Sequence, residues 1–279
     1  MIESDLLPPQ LAQLAGARPE SVALAAWKFA VSNGSLHHAG VRLDGDTVEL
    51  VVGPLARAAA WDLLLTNGRL KPPSRLVLTP RDEVLLRAEV VLDGSAQDGR
   101  VVDSAVCALR EGLEASEGAP SPAVAGAEPW DVEQAAAEAG IAGRLLGDGR
   151  FKVDSGAAGL RAALIGPDAA VRVELLPPGD YPAAVWEAAA TLLLRVTSGV
   201  RFVRAAGERN GSARLEVRFC SAPTPTELQA AVAALALAGH CTEEMAVLTR
   251  EDAAAMYLAV CGIPETKGGD RTCQSLQQT

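Results

Sequence analysis

The stretch Arg87-Ala-Glu-Val-Val-Leu92 recurs in altered form as Arg214-Leu-Glu-Val-Arg-Phe219, 127 positions later (87 to 214). A second pair follows in the same order, since residues 102–109 (VDSAVCAL) match residues 228–235 (LQAAVAAL) at an offset of 126 positions (102 to 228). Two similar segments in one order, at nearly one spacing, predict a tandem duplication within the 279 residues. Each half of the chain would then hold one copy of the same fold.

Along the second copy of the stretch, Leu215 and Val217 alternate with Arg214, Glu216 and Arg218. Successive side chains of a strand point to opposite faces, so the apolar and the charged residues separate onto two sides. This alternation is typical of an antiparallel sheet that is covered on one side only. The pattern therefore predicts that the charged face is in contact with water and available to a partner.

The first half is expected to follow the order helix, hairpin, helix, hairpin, helix. Helix-start prolines, Asn-Gly breaks and an Asp-Gly turn mark the boundaries. The predicted helices cover 19–29, 54–65 and 101–113, and the predicted strands cover 41–43, 47–52, 75–78 and 84–92. The turn of the first hairpin is Asp44-Gly45.

The second half repeats that order. Its predicted helices cover 131–139, 182–196 and 226–238, with a further helix at 250–260. Its predicted strands cover 151–153, 160–165, 170–176, 202–205 and 213–219. Asp131 is the expected N-cap of the first of these helices, and Trp186 falls near the offset position of Trp61. The predicted fold is α+β, with two tandem α-ββ-α-ββ-α repeats, each an antiparallel sheet packed by helices.

The domain boundaries follow from composition. Residues 117–129 combine Pro, Gly, Ser and Ala without a hydrophobic period, which indicates a linker. We therefore predict a first repeat over 1–116 and a second over 130–262. The polar residues 263–279 would form a flexible tail.

The composition limits the classes of partner. The chain has 25 Lys and Arg and 35 Asp and Glu, which gives a net charge of −10. The positive field needed for nucleic-acid binding is therefore absent. No uninterrupted apolar run of about 18 residues predicts a membrane span. The first residues carry no basic signal region, and five scattered cysteines suit free thiols, so we expect a cytoplasmic protein.

No motif in the chain predicts catalysis. His37-His38 would lie in or next to a strand, where adjacent side chains diverge and cannot easily bind one metal. His240-Cys241 stands at an expected helix end without a second ligand or base at useful spacing. Neither a phosphate-binding loop nor a nucleophile elbow occurs. We therefore predict no catalytic residue, no cofactor and no bound metal.

Residues 63–78 (LLLTNGRLKPPSRLVL) lead into the strand 84–92. This order of a leucine-rich helix end, an Asn-Gly break, a short strand, an acidic turn and a longer strand resembles the bacterial type III secretion chaperone-like fold. That group includes the Tir-chaperone and YbjN types. The resemblance implies a small ATP-independent binding protein whose members act as dimers and hold client segments in extended form. With two copies, this chain would be a pseudo-dimer within one polypeptide.

Our first hypothesis is a non-enzymatic, chaperone- or adaptor-like protein that holds a polypeptide client or partner protein on sheet and helix surfaces. The expected contacts are Trp27 and Phe29 on the first helix and Arg214 and Arg218 on the strand face open to water. Residues two apart on a helix diverge by about 200°, so one aromatic side chain would contact the other copy or a client. The alternatives are a structural or regulatory dimerisation module without a client and an enzyme with an unrecognised site. Neither nucleic acid nor membrane is an expected partner, and the chain would be a monomeric pseudo-dimer or a homodimer.

Overall fold

A computed structural model describes residues 20–23, 26–32, 36–92, 98–116, 130–154 and 163–248. Within these residues, two six-stranded antiparallel sheets combine with five helices, so the predicted α+β class is confirmed. The expected linker at 117–129 and the expected helix and tail after residue 249 lie outside the described residues.

The first half builds one sheet and two helices. The strands are β1 (Glu20–Ala23), β2 (Ala26–Ser32), β3 (Leu36–Asp44), β4 (Thr47–Leu55), β5 (Arg75–Leu78) and β6 (Val84–Val91). The helices are α1 (Ala60–Asn67), between β4 and β5, and α2 (Asp98–Ser116), after β6. Across the sheet the strands follow the order β1-β2-β3-β4-β6-β5, and α2 packs on β4 and β6.

The second half starts with α3 (Val132–Glu138). Its strands are β7 (Gly143–Leu145), β8 (Phe151–Val153), β9 (Leu164–Gly166), β10 (Ala170–Leu176), β11 (Arg204–Gly207) and β12 (Ala213–Arg218). Helix α4 (Ala183–Gly199) lies between β10 and β11, and α5 (Pro225–Leu248) follows β12 and packs on β10 and β12. The strand order is β7-β8-β9-β10-β12-β11, which is the order of the first sheet.

The predicted first helix is wrong, because residues 20–23 and 26–32 form β1 and β2. The sequence Ala-Trp-Lys-Phe-Ala-Val-Ser over 26–32 alternates with period two and contains aromatic and β-branched residues, which favour strands. Pairing of β2 with β3, which places Trp27 beside Val41 and Phe29 beside Ala39, outweighs the helix-start signal. The argument that these two aromatic residues diverge around a helix therefore does not apply. Each half has four strands before its central helix, two more than expected in the first half.

The two halves interlock through their central helices. The rings of Trp61 (α1) and Trp186 (α4) stack with centroids 5.6 Å apart and planes at 18°. The Glu187 carboxylate accepts hydrogen bonds from the backbone N–H groups of Ala60 (2.6 Å) and Trp61 (3.1 Å), which caps α1 from the other half. The buried apolar side chains form a cluster that extends over both halves without a break.

Helix α1 also lies directly on a strand of the second half. A side chain at Gly207 in β11 would place its Cβ 3.1 Å from the Leu64 Cβ, so the helix would have to shift by a few tenths of an ångström to accept a larger residue. The buried Asn67 amide donates to the carbonyl oxygens of Leu76 (2.9 Å) and Ala205 (2.8 Å), which belong to the two different sheets. The inner edge strands β5 and β11 contact each other in the middle of the molecule.

The Trp61–Trp186 stack gives a test of this interlock. In a double-mutant cycle with Trp61→Ala and Trp186→Ala, we expect a coupling of about 1 kcal/mol in the free energy of unfolding, because either substitution removes the same contact. Urea unfolding of the four proteins measures it. The control is Trp130, which precedes α3 and donates its ring N–H to the Pro167 carbonyl oxygen. A parallel cycle with Trp130→Ala and Trp186→Ala should be additive, and additivity in both cycles would contradict the stacking.

Candidate functional site on the second sheet

One row of neighbouring residues crosses the whole second sheet. Its members, given from the outer edge to the inner edge, are Arg144, Lys152, Leu164, Arg172, Glu216 and Arg204. Directly paired residues in antiparallel strands project to the same face. This row, here called the polar row, therefore lies on one face. The apolar residues that alternate with it form the opposite face, where α5 packs on β10 and β12 and α3 contacts β8.

Glu216 is the buried centre of the polar row, with no exposure to solvent. Four guanidinium groups surround its carboxylate at N–O distances of 2.7 to 3.2 Å, and they belong to Arg172, Arg204, Arg214 and Arg218. Two of these arginines have further carboxylate partners, because Arg172 also pairs with Asp168 and Arg214 with Glu208. The buried negative charge is thus fully paired, as a buried carboxylate requires.

The pKa values follow from these contacts. Burial alone raises the pKa of Glu216, but the surrounding arginines, Arg204 first, outweigh burial and hold this pKa far below its usual range. Burial lowers the pKa of Arg204 to about 10, against the opposing effect of Glu216. Both groups are therefore ionised at neutral pH.

The prediction that Arg214, Glu216 and Arg218 form a face open to water is wrong. The side chains of Arg214 and Arg218 are only 13% and 15% exposed, and that of Glu216 is buried. The chain after α1 covers this end of the sheet, since Arg204 Nη1 donates to the Leu70 carbonyl oxygen at 2.9 Å. Period-two alternation cannot distinguish charges in water from charges that neutralise each other beneath another part of the chain.

The first sheet carries an equivalent contact in the opposite direction. Arg75, the first residue of β5, is buried and pairs with Glu89 at 2.8 Å, and it donates to the Val200 carbonyl oxygen at 2.9 Å. The other Glu89 oxygen accepts the backbone N–H of Phe202 at 2.6 Å. Arg204 is likewise the first residue of β11. In each half, a buried arginine therefore donates a hydrogen bond to a loop of the other half.

These contacts close the inner edge of each sheet, but the outer edge of the second sheet is open. Gly143, Arg144 and Leu145 are all exposed, Leu145 by 46%, and within the described residues β7 has a neighbour on one side only. Backbone bonds from Asp154 N to Ala142 O (2.9 Å) and from Leu146 N to Arg150 O (2.7 Å) flank the strand.

Bonded and non-bonded pairs alternate along an antiparallel ladder. The pairs Ala142–Asp154 and Leu146–Arg150, at the two ends of β7, are hydrogen-bonded. By alternation, the N–H and C=O groups of Gly143 and Leu145 point away from β8 and toward the open edge. The strand therefore presents two sets of backbone donors and acceptors that no other described strand engages.

The open edge is also the most basic part of the polar row. Arg144 and Lys152 stand directly opposite each other, and neither has a carboxylate partner among the described residues. Arg172, two strands further in, is neutralised by Asp168 and Glu216. The charge of this edge is thus opposite to the net charge of −10 of the whole chain.

Of the four contact residues expected from the sequence, the structure brings only Arg214 and Arg218 together, around Glu216. Trp27 and Phe29 lie in β2 of the other sheet. Arg144, Lys152 and Leu145 were missed, because no strand was expected at 143–145. The available signal was the turn Asp148-Gly149 just before the predicted strand 151–153, because such a turn in a hairpin requires a partner strand on its other side.

The histidine and cysteine pairs form no catalytic arrangement in the described residues. His240 lies inside α5 rather than at its end and contacts Glu244 at 3.2 Å on the exposed surface. Burial, and then Glu244, raise the pKa of the neighbouring Cys241 thiol, which opposes formation of a thiolate nucleophile. His37 and His38 lie within β3. The described part of the chain has no group of three or more potential metal ligands from His, Cys, Asp and Glu.

The chain matches no protein-family model, no curated protein and no solved structure. Among the described residues, no helix combines the length and the apolar composition needed to cross a bilayer. The resemblance to type III secretion chaperones therefore remains a prediction.

Removing the central charge of the polar row should destabilise the protein. We expect Glu216→Gln to lower the free energy of unfolding by about 3 kcal/mol or more, because four arginines then lose their shared counter-charge. The matched control is Glu208→Gln, which changes a half-exposed partner of Arg214 and should cost less than about 1 kcal/mol. Urea unfolding at pH 7 measures both, and equal effects would contradict the assigned role of Glu216.

Glu216 should also make stability depend on pH. Its folded pKa lies below the value of about 4.3 for an exposed glutamate, so the unfolded state binds the proton first as the pH falls. The stabilisation is complete at neutral pH and begins to be lost below about pH 5. Below the unfolded pKa, the loss approaches about 1.4 kcal/mol per pH unit for this proton. Urea unfolding between pH 7 and pH 3 gives the free energy of unfolding as a function of pH. This free energy should fall less steeply with decreasing pH in Glu216→Gln than in the wild type, and identical pH dependence would refute the assignment.

Proposed function

We propose that this chain is a non-enzymatic polypeptide-binding protein that takes up an extended segment as an additional strand beside β7. The observation that carries the proposal is the open edge, where the backbone groups of Gly143 and Leu145 point outward without a partner strand in the described residues. Addition of a strand to an exposed sheet edge is a recurring mode of peptide recognition, in which main-chain hydrogen bonds provide affinity.

The arrangement of the two sheets supports the choice of this edge. Exposed edges attract other chains, and proteins commonly cover them. Here the edges at β5 and β11 are buried by the other half, whereas β7 is exposed along its whole length. Of these three edges, β7 is therefore the one available for pairing with another polypeptide.

Leu145 adds an apolar contact to the backbone groups. Its direct partner Phe151 is buried, so Leu145 lies at the rim of the core, and it is still 46% exposed. A side chain of a bound segment that covers Leu145 would extend the core by one strand. At roughly 25 cal/mol per Å² of buried apolar surface, such a contact contributes noticeably to affinity.

The proposal agrees with the mode of binding that the chaperone resemblance implies, in which clients are held in extended form. The common strand order of the two sheets supports the proposed duplication and pseudo-dimer. In the second half, the position equivalent to β1 is β7, so each half places one outer edge strand away from the centre.

Binding to synthetic peptides tests the proposal. The probes are fluorescein-labelled nonapeptides with Gly-Ser flanks and the cores VEVEV, VSVSV or VKVKV. We expect fluorescence anisotropy to show saturable binding of at least one core. N-methylation of the valines should abolish it, because a methylated amide cannot donate to the strand edge.

The test variant is Leu145→Pro, which removes an N–H group from the open edge. The control variant is Leu237→Lys, which changes a similarly exposed leucine on α5. A second test variant, Leu145→Lys, adds a charge at the edge but keeps the N–H group. Weaker binding by this variant therefore cannot be caused by a folding defect that proline introduces. Binding should weaken at least about tenfold in both Leu145 variants and stay unchanged in Leu237→Lys. If no core binds, or if N-methylation has no effect, the proposal is wrong.

A further inference from the structure

We infer that the segment bound at β7 alternates acidic and apolar residues, with its carboxylates beside Arg144 and Lys152. This inference rests on the proposed function and specifies the chemistry of the partner. It follows from which side chains of the second sheet an added strand would meet on each of its two faces.

The face that carries the polar row selects charge. A residue of the added strand directly opposite Arg144 would have its Cβ about 4.5–5.5 Å from the Arg144 Cβ, and Lys152 is one strand further in. Like charges directly opposite each other destabilise a sheet, whereas opposite charges stabilise it. A carboxylate at this position would therefore relieve the repulsion between Arg144 and Lys152.

The opposite face selects apolar side chains. Gly143 and Leu145 lie on the same side as their partners Val153 and Phe151, which are both buried. A residue opposite Leu145 would cover an exposed leucine at the rim of the core. Period two in the added strand then places acidic residues on one face and apolar residues on the other.

The carboxylates of this part of the chain leave the positive charge available. Asp148 pairs with Arg150 in the turn of the hairpin, and Asp168 pairs with Arg172. The exposed carboxylates Glu174 and Asp154 lie on β10 and just after β8, not on β7. Within the described residues, no ion pair neutralises Arg144 or Lys152.

A short acidic peptide fits this edge better than a nucleic acid does. The net charge of −10 repels a long polyanion, whereas a short segment responds mainly to charges within the Debye length of about 8 Å. The free N–H and C=O groups of Gly143 and Leu145 match a peptide backbone, which offers both donors and acceptors in the same repeat.

A charge-reversal experiment tests the inference. The wild type should bind the VEVEV peptide at least about fivefold more tightly than VKVKV, because a direct cross-strand pair with Arg144 changes from attraction to repulsion and Lys152 adds a longer-range effect of the same sign. The double variant Arg144→Glu/Lys152→Glu should reverse this order. The matched control is Arg57→Glu/Arg100→Glu, which makes the same change in net charge at exposed arginines of the first half and should keep the wild-type order. The preference for VEVEV should also decline between 50 and 500 mM NaCl.

The outcomes separate this inference from the proposed function. If all three cores bind equally and Leu145→Pro weakens each of them, the open edge binds polypeptides but the acidic preference is overturned. If none binds, the proposed function and the inference both fail. Tighter binding of a labelled twelve-residue oligouridine than of VEVEV, lost in the double variant, would overturn the inference in favour of nucleic acid. A dimer in sedimentation that Leu145→Pro dissociates would overturn it in favour of a second copy of this chain.

Discussion

Two buried arginines, each reaching from the start of a strand into the opposite half, are the contacts on which the rest of the structure depends. Arg204 joins the paired charge of Glu216 to the Leu70 carbonyl, and Arg75 joins Glu89 to the Val200 carbonyl. Separation of the halves would leave these charges buried without full hydrogen bonding, or expose them together with the apolar cluster. The two sheets therefore behave as one body with a shared core.

This constraint determines where a partner can bind. Because the inner edges meet in the centre of the molecule, their backbone groups are not available to another chain. The outer strand β7 has no such cover in the described residues. It combines backbone groups that point to the open edge, the exposed Leu145 and the basic Arg144, which has no carboxylate partner among those residues. The backbone of the three residues of β7 would thus provide affinity, and the side chains of Arg144 and Leu145 would provide selectivity.

Local signals in the sequence predicted the turns and most later elements. The turn at Asp44-Gly45 contains a glycine with φ of 64°, and Asp131 accepts the Gln134 N–H at 3.0 Å as the expected N-cap. Prediction failed where distant contacts decide the structure. The predicted helix 19–29 carries helix-forming residues, but residues 26–32 form β2 and pair with β3. The alternation around Glu216 predicts exposure to water, but the first half covers this residue. The candidate site was missed because Gly143-Arg-Leu-Leu-Gly147 holds two glycines and shows no period-two alternation, so only the partner strand at 151–153 was predicted.

Amide hydrogen exchange at the open edge tests the central claim most directly. In the free protein, the N–H groups of Gly143 and Leu145 should exchange rapidly, because they point to solvent. Saturation with the peptide that binds most tightly should slow both at least about tenfold, while the Arg144 N–H, directed toward β8, changes less. Unchanged exchange at Gly143 and Leu145, with protection elsewhere in the molecule, would contradict strand addition at β7.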